Sequence, residues 1–158
     1  MILPLLLALQ TTPVAPIERG TALPPPGTEE AQVLAPVQRL FDALAARSPA
    51  AILAEVRPDG RATAVDEKAD GTRAITTTDW PAFAQRIAAP GPRLAESLTG
   101  TPAVEIDGDI AMVWSGYTFT VDGKTSHCGT DHIDLIREND RWKILNLTWT
   151  KRTTGCAQ

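Results

Sequence analysis

Residues 110–151, IAMVWSGYTFTVDGKTSHCGTDHIDLIRENDRWKILNLTWTK, read as three consecutive antiparallel strands joined by two tight turns. Ile110 to Val121 is rich in β-branched and aromatic residues, and Asp122-Gly123 follows it, a dipeptide that tolerates the positive φ of a primed hairpin turn. The return strand, Ser126 to Arg137, runs into the polar stretch Glu138-Asn139-Asp140-Arg141, after which Trp142 to Thr150 alternates again. A β-meander at the carboxyl end is the predicted centre of the fold.

Upstream the periodicity changes. Val33, Leu34, Val37, Leu40, Phe41 and Leu44 recur at three- and four-residue spacing, which predicts one apolar stripe on a helix from Glu29 to Ala46, capped by Thr28. Pro36 either kinks that helix or marks its true first turn. Ser48-Pro49 predicts a short second helix through Val56, ended by Pro58-Asp59-Gly60. Residues 62–67 and 72–77 are polar strand candidates, and Thr78 or Asp79 caps a third helix carrying Trp80, Phe83 and Ile87 on one face. From Arg93 to Asp107 the chain is extended, with a bulge or bend at Gly100-Thr101-Pro102. The predicted order is α-α-β-β-α followed by four strands.

The chain has 158 residues and a formal charge of −4, enough length for one core and no basic run to serve as an electrostatic footprint for nucleic acid. Residues 1–10 open with an apolar run too brief to span a bilayer, so no stable membrane span is expected. The run fits the core of a signal peptide, although no Lys or Arg precedes it; a buried terminal segment or a different start site is the alternative. Residues 11–27 are proline-rich and read as a linker, which places the domain at 28–156 and the protein in the periplasm or outside the cell. The two cysteines, Cys128 and Cys156, fit that compartment if they pair; two buried or free thiols are the other reading. With Asn139 and Asp140 as loop residues, Cys128 falls opposite Lys151, so Cys156 has to curl back through Gly155.

Helices first, then a sheet whose last strands carry Gly129-x-Asp131-x-Ile133-x-Leu135 and Trp142-Lys143-Ile144, resemble a nuclear transport factor 2-like domain. Gly108-Asp109-Ile110-Ala111, Trp114, Tyr117, Ser126 to Asp131 and the terminal Gly155-Cys156 make it similar to the SnoaL-like and lumazine-binding-like bacterial subgroups. The resemblance implies an α+β fold: a cone-shaped, curved antiparallel sheet with a mixed edge and three helices over its concave face. It also implies a pocket and a homodimer formed through the sheet. It does not carry over an activity, because no ketosteroid-isomerase-type Tyr and Asp pair falls on matching positions.

Strand alternation places His127 and Asp131 on one face and Cys128 and His132 on the other, each pair separated by roughly 13 Å, so no metal site is expected. His132 and Asp134 share a face about 7 Å apart, too far for a direct dyad. The two turns set a register in which Trp114, Asp131 and Thr148 lie level, flanked by Asn146, on a face mixing polar and apolar groups. That face is the expected pocket wall. Asp131 is the candidate acid for ligand contact or proton transfer, Trp114 for stacking, and Asn146 and Thr148 for hydrogen bonds. Asp131 has a second reading, as an acceptor that fixes the sheet. His127, with Arg152 opposite, is either an anion contact at the mouth or a solvated rim pair; Glu96 and Tyr117 join the pocket if the long strand is bulged, since a bulge flips every later assignment.

No phosphate loop or nucleophile elbow occurs, and no cofactor is expected. Three functions remain open: a pocket protein for a small, partly apolar molecule; an isomerase, cyclase or hydro-lyase with a pocket carboxylate or histidine as base; and a dimeric interaction module without a ligand.

Overall fold

The computed structural model describes residue 25, residues 27–68 and residues 70–156. The leader at 1–10 and most of the linker at 11–27 lie outside the described residues. Three helices, α1 (Glu29–Ala45), α2 (Pro49–Glu55) and α3 (Trp80–Ala88), accompany six strands: β1 (Arg61–Glu67), β2 (Arg73–Asp79), β3 (Leu94–Asp107), β4 (Ile110–Val121), β5 (Lys124–Glu138) and β6 (Arg141–Arg152). The strand order is β2-β1-β6-β5-β4-β3. Only β1 and β6 run parallel; the other four neighbouring pairs are antiparallel, so the sheet is mixed and open.

Local chemistry explains the element boundaries. Thr28, Ser48 and Asp79 each accept a hydrogen bond from the backbone amide three residues on, satisfying one orphan donor at each helix start. Pro36 lies inside α1, which starts seven residues earlier at Glu29, so it does not mark the first turn. Both meander turns have two central residues at positive φ: Asp122 and Gly123 at 51° and 77°, Asn139 and Asp140 at 49° and 60°. These are primed turns, whose twist matches the strands they join.

The core lies between the concave sheet face and the helices. Val33, Val37, Leu40 and Leu44 of α1 pack with Val113, Ile133, Leu135, Ile144 and Leu147, all at most 2–3% exposed. Trp80, fully buried, stacks edge-on against Phe83 with ring centroids 5.6 Å apart and donates its indole N–H to the carbonyl of Leu145 at 3.0 Å. The Arg47 guanidinium collects the carbonyls of Ile87, Ala89 and Pro92, fastening the end of α1 to the loop that follows α3.

Two β-bulges correct the register expected from the turns. In β5, Phe119 pairs with His127 but Thr120 pairs with Thr125, leaving Ser126 as an extra residue. In β6, Asp134 pairs with Asn146 but Leu135 pairs with Ile144, leaving Leu145 extra. Because side chains alternate with a period of two, each extra residue exchanges the faces beyond it. Trp114 is therefore level with His132 and Thr148, and Asp131 is level with Ser115 and Trp149 on the opposite, concave face. Cys128 faces Arg152 rather than Lys151, and the chain returns through Gly155 at φ 70° to close the Cys128–Cys156 disulfide.

Candidate functional site

The bulges decide which side chains meet. On the concave face, Glu96 of β3, Phe119 of β4 and His127 of β5 form one cross-strand row, and Leu98, Tyr117 and Gly129 form the next. Asp131, two residues beyond Gly129 on β5, lies within interaction distance of Glu96. Leu44 of α1 and Phe83 and Ile87 of α3 roof this end of the sheet. Between roof and sheet lies a cavity of about 280 Å³. Its walls are largely apolar: Phe83, Phe119, Leu147 and Trp149, with the Phe83 and Trp149 rings 6.3 Å apart and nearly perpendicular. Its polar lining comes from Glu96, Tyr117 and His127 inside, and from Thr76, Arg86 and the Lys151–Asp66 ion pair (3.0 Å) where it meets solvent.

Each interior polar group has a defined electrostatic state. Asp131 is wholly buried, and among the described residues neither carboxyl oxygen has a hydrogen-bond partner of ordinary geometry. Burial pushes its pKa up to about 7, with the neighbouring Glu96 carboxyl partly opposing the rise. Glu96 is held well above the usual carboxylate range, first by burial and then by the charge of Asp131. Glu96 retains some accessible surface because it borders two hollows, the aromatic cavity and a second one of about 430 Å³ beneath α1. The two carboxyls are coupled, and burial holds both above the ordinary carboxylate range. Asp131 does not line the cavity; Glu96 does.

Tyr117, 2% exposed, donates its hydroxyl to the carbonyl of Thr150 at 2.9 Å, and burial together with the two carboxyls raises its pKa. His127 stacks on Phe119 with centroids 4.6 Å apart and meets Tyr117 edge-on at 5.9 Å. Burial, and then the Lys151 ammonium, depress its pKa to about 4, so its imidazole is neutral at physiological pH. Arg152, expected opposite His127, pairs with Cys128 instead; Lys151 is the cation His127 senses.

Of the residues singled out from sequence, the structure brings Glu96, Tyr117, His127 and Asp131 together. It places Trp114, Asn146 and Thr148 on the other face. There Trp114 is 42% exposed beside His132, their rings 5.7 Å apart, and Asn146 donates to Asp134 at 3.3 Å. His132 and Asp134 do meet, at 3.3 Å, because their side chains lean toward each other along the strand. Phe119 and Trp149 belong to the cavity but fall on the wrong face in a register drawn from turns alone. For Trp149 a signal is in the sequence: the large apolar residues of β6 move from even positions, Trp142 and Ile144, to odd ones, Leu147 and Trp149, a change of parity that an extra residue produces.

Among the described residues no group of three His, Cys, Asp or Glu could hold a metal ion, and no helix is long and apolar enough to cross a membrane.

Comparisons with known proteins agree with this architecture. An NTF2-like protein from Cytophaga hutchinsonii has TM-score 0.62 at 12% identity, covering 79% of this chain and 99% of that one. An NTF2-like protein of unknown function from Shewanella baltica has TM-score 0.58 at 12% identity, covering 78% and 94%. An NTF2-like superfamily protein from Salmonella enterica has TM-score 0.56 at 15% identity, covering 78% and 91%. At these identities the likeness shows the fold alone. No protein with a curated description matches the chain. The family described as "putative lumazine-binding" matches residues 28–150. The chain belongs to that family, and its fold is that of the nuclear transport factor 2-like proteins.

Proposed function

We propose that this protein is exported and that its conical pocket binds a small, partly apolar molecule. The observation that carries the reading is the aromatic-walled cavity of about 280 Å³ with its polar groups gathered at Glu96, Tyr117 and His127. That is the composition of a ligand pocket, apolar walls with a few convergent polar groups, at the small end of the usual volume range. The Cys128–Cys156 disulfide supports an oxidising compartment, periplasmic or extracellular. The outer sheet face, where Ile110 is 59% and Trp114 42% exposed, supports a homodimer formed through the sheet.

A second reading, acid–base catalysis, is favoured by one observation. The buried Glu96–Asp131 pair keeps a proton near neutral pH beside the cavity, the state a general acid requires. Against it, the Tyr117 hydroxyl is committed to Thr150.

Native mass spectrometry tests the binding reading. Protein prepared from its own source without denaturation should carry a small molecule that is lost from Ala64→Phe, which fills the cavity. A chain mass without adduct in both proteins, and no thermal shift of the wild type with any small aromatic compound, would overturn it. The same spectrum reports subunit number.

A further inference from the structure

We propose that the ligand presents a positively charged nitrogen to Glu96: the cavity is a site for a small aromatic or aliphatic amine, with the ammonium inside and the apolar body between Phe83, Phe119 and Trp149. The inference rests on the pocket reading above and names the chemical class that fits it.

Two carboxyls line the cavity: Asp66 is paired with Lys151, whereas Glu96 has no ion-pair partner among the described residues. Behind Glu96, Asp131 is wholly buried, and neither of its oxygens has a hydrogen-bond partner of ordinary geometry among the described residues. The groups that face the pair cannot neutralise it. Tyr117 on β4 gives its only proton to Thr150. His127 on β5 is a neutral imidazole held in an aromatic stack. Lys151 on β6 is paired with Asp66 of β1 at 3.0 Å, and Arg86 of α3 is exposed, with its guanidinium over the Phe83 ring and bonded to Thr78 at 3.3 Å. Arg152 pairs in register with Cys128 and does not line the cavity, although Tyr117 senses its charge. A negative charge desolvated in this way lacks the compensation buried charges normally have, and an occupant bearing N–H donors supplies it.

The walls select the same ligand. Phe83, Phe119, Tyr117 and Trp149 enclose the space; the Phe83 ring already carries the Arg86 guanidinium over it and Phe119 is stacked by His127, and a desolvated ammonium gains from aromatic contact as well as from the carboxylate. An anion would meet the carboxyl pair with like charge. A neutral molecule of equal size would bury the same apolar area and leave the charge unmatched.

Three matched probes separate these cases: phenethylamine, phenethyl alcohol and phenylacetate, titrated calorimetrically into the purified protein from about pH 5.5 to about pH 8, across the ionisation of Asp131. The amine is expected to bind tightest. Its affinity should rise as the pH passes about 7, where Asp131 ionises, while the affinity of the alcohol stays flat. Glu96→Gln should weaken the amine by roughly thirtyfold or more at the upper pH, and retained alcohol binding shows that the variant is folded. Equal affinities, a preference for phenylacetate, or an amine affinity indifferent to both pH and Glu96→Gln overturns the amine assignment and leaves the pocket reading standing. Failure of all three probes to bind at millimolar concentration sinks both.

Discussion

The indole N–H of Trp80 donates to the carbonyl of Leu145, the residue that bulges out of β6. One side chain of α3 thereby secures the irregularity that turns Leu147 and Trp149 inward. The amide of Arg57, bonded to the carbonyl of Ile144 at 2.8 Å, holds the other side of the bulge. Trp80→Phe removes the hydrogen bond and part of a fully buried ring, so it should lower stability by about 2–3 kcal/mol. Urea unfolding would show a lower midpoint with an unchanged slope.

The buried carboxyl pair makes stability depend on pH in the direction opposite to ordinary surface acids. Asp131 has a folded pKa of about 7 against 3.8 for a free side chain, so the folded protein keeps a proton that the unfolded chain releases. Its contribution is fully present below the lower value and lost as pH rises to the upper one. Asp131→Asn should therefore stabilise the protein on the order of 2–4 kcal/mol near pH 8 and change little near pH 4. Thermal melts of the two proteins across that range measure it; equal differences at both ends would refute the electrostatic assignment.

His127 works the other way. Its folded pKa of about 4 lies below the ordinary 6.5, so the stability it contributes is present above the higher value and lost as pH falls to the lower one. In an NMR titration its imidazole resonances should move with a midpoint near 4. Lys151→Met removes the repelling ammonium and frees the Asp66 carboxylate, and should raise that midpoint.

The disulfide joins residues 28 apart in sequence and restrains the unfolded chain accordingly. Cys156→Ser, at the half-buried end of the bridge, should cost roughly 3 kcal/mol, or about 10 °C in melting temperature. Differential scanning calorimetry with and without reductant checks it, since reductant should bring the wild type to the variant's melting temperature and leave the variant unmoved.

Much of the architecture was legible in the sequence because it is written in local chemistry. The helix stripe of Val33 to Leu44, the caps Thr28, Ser48 and Asp79, and the turns Asp122-Gly123 and Asn139-Asp140 each depend on neighbours a few residues away. The site was less legible, because membership of a sheet face is a cumulative count along the chain. Two uncounted residues, Ser126 and Leu145, reassign Trp114, Asn146 and Thr148 to the outside while bringing Phe119 and Trp149 to the cavity. The contact between Glu96 and Asp131 lay beyond any register argument, since the two residues sit on strands that β4 separates and are not paired with one another.

The bulges at Ser126 and Leu145 have an implication for how such a hollow could diversify. A codon deleted at either place would swap lining for exterior along the rest of its ribbon, converting an aromatic chamber into a polar one without substituting a single amino acid. Strand length, as much as side-chain identity, is the variable through which descendants of this chain could acquire new guests.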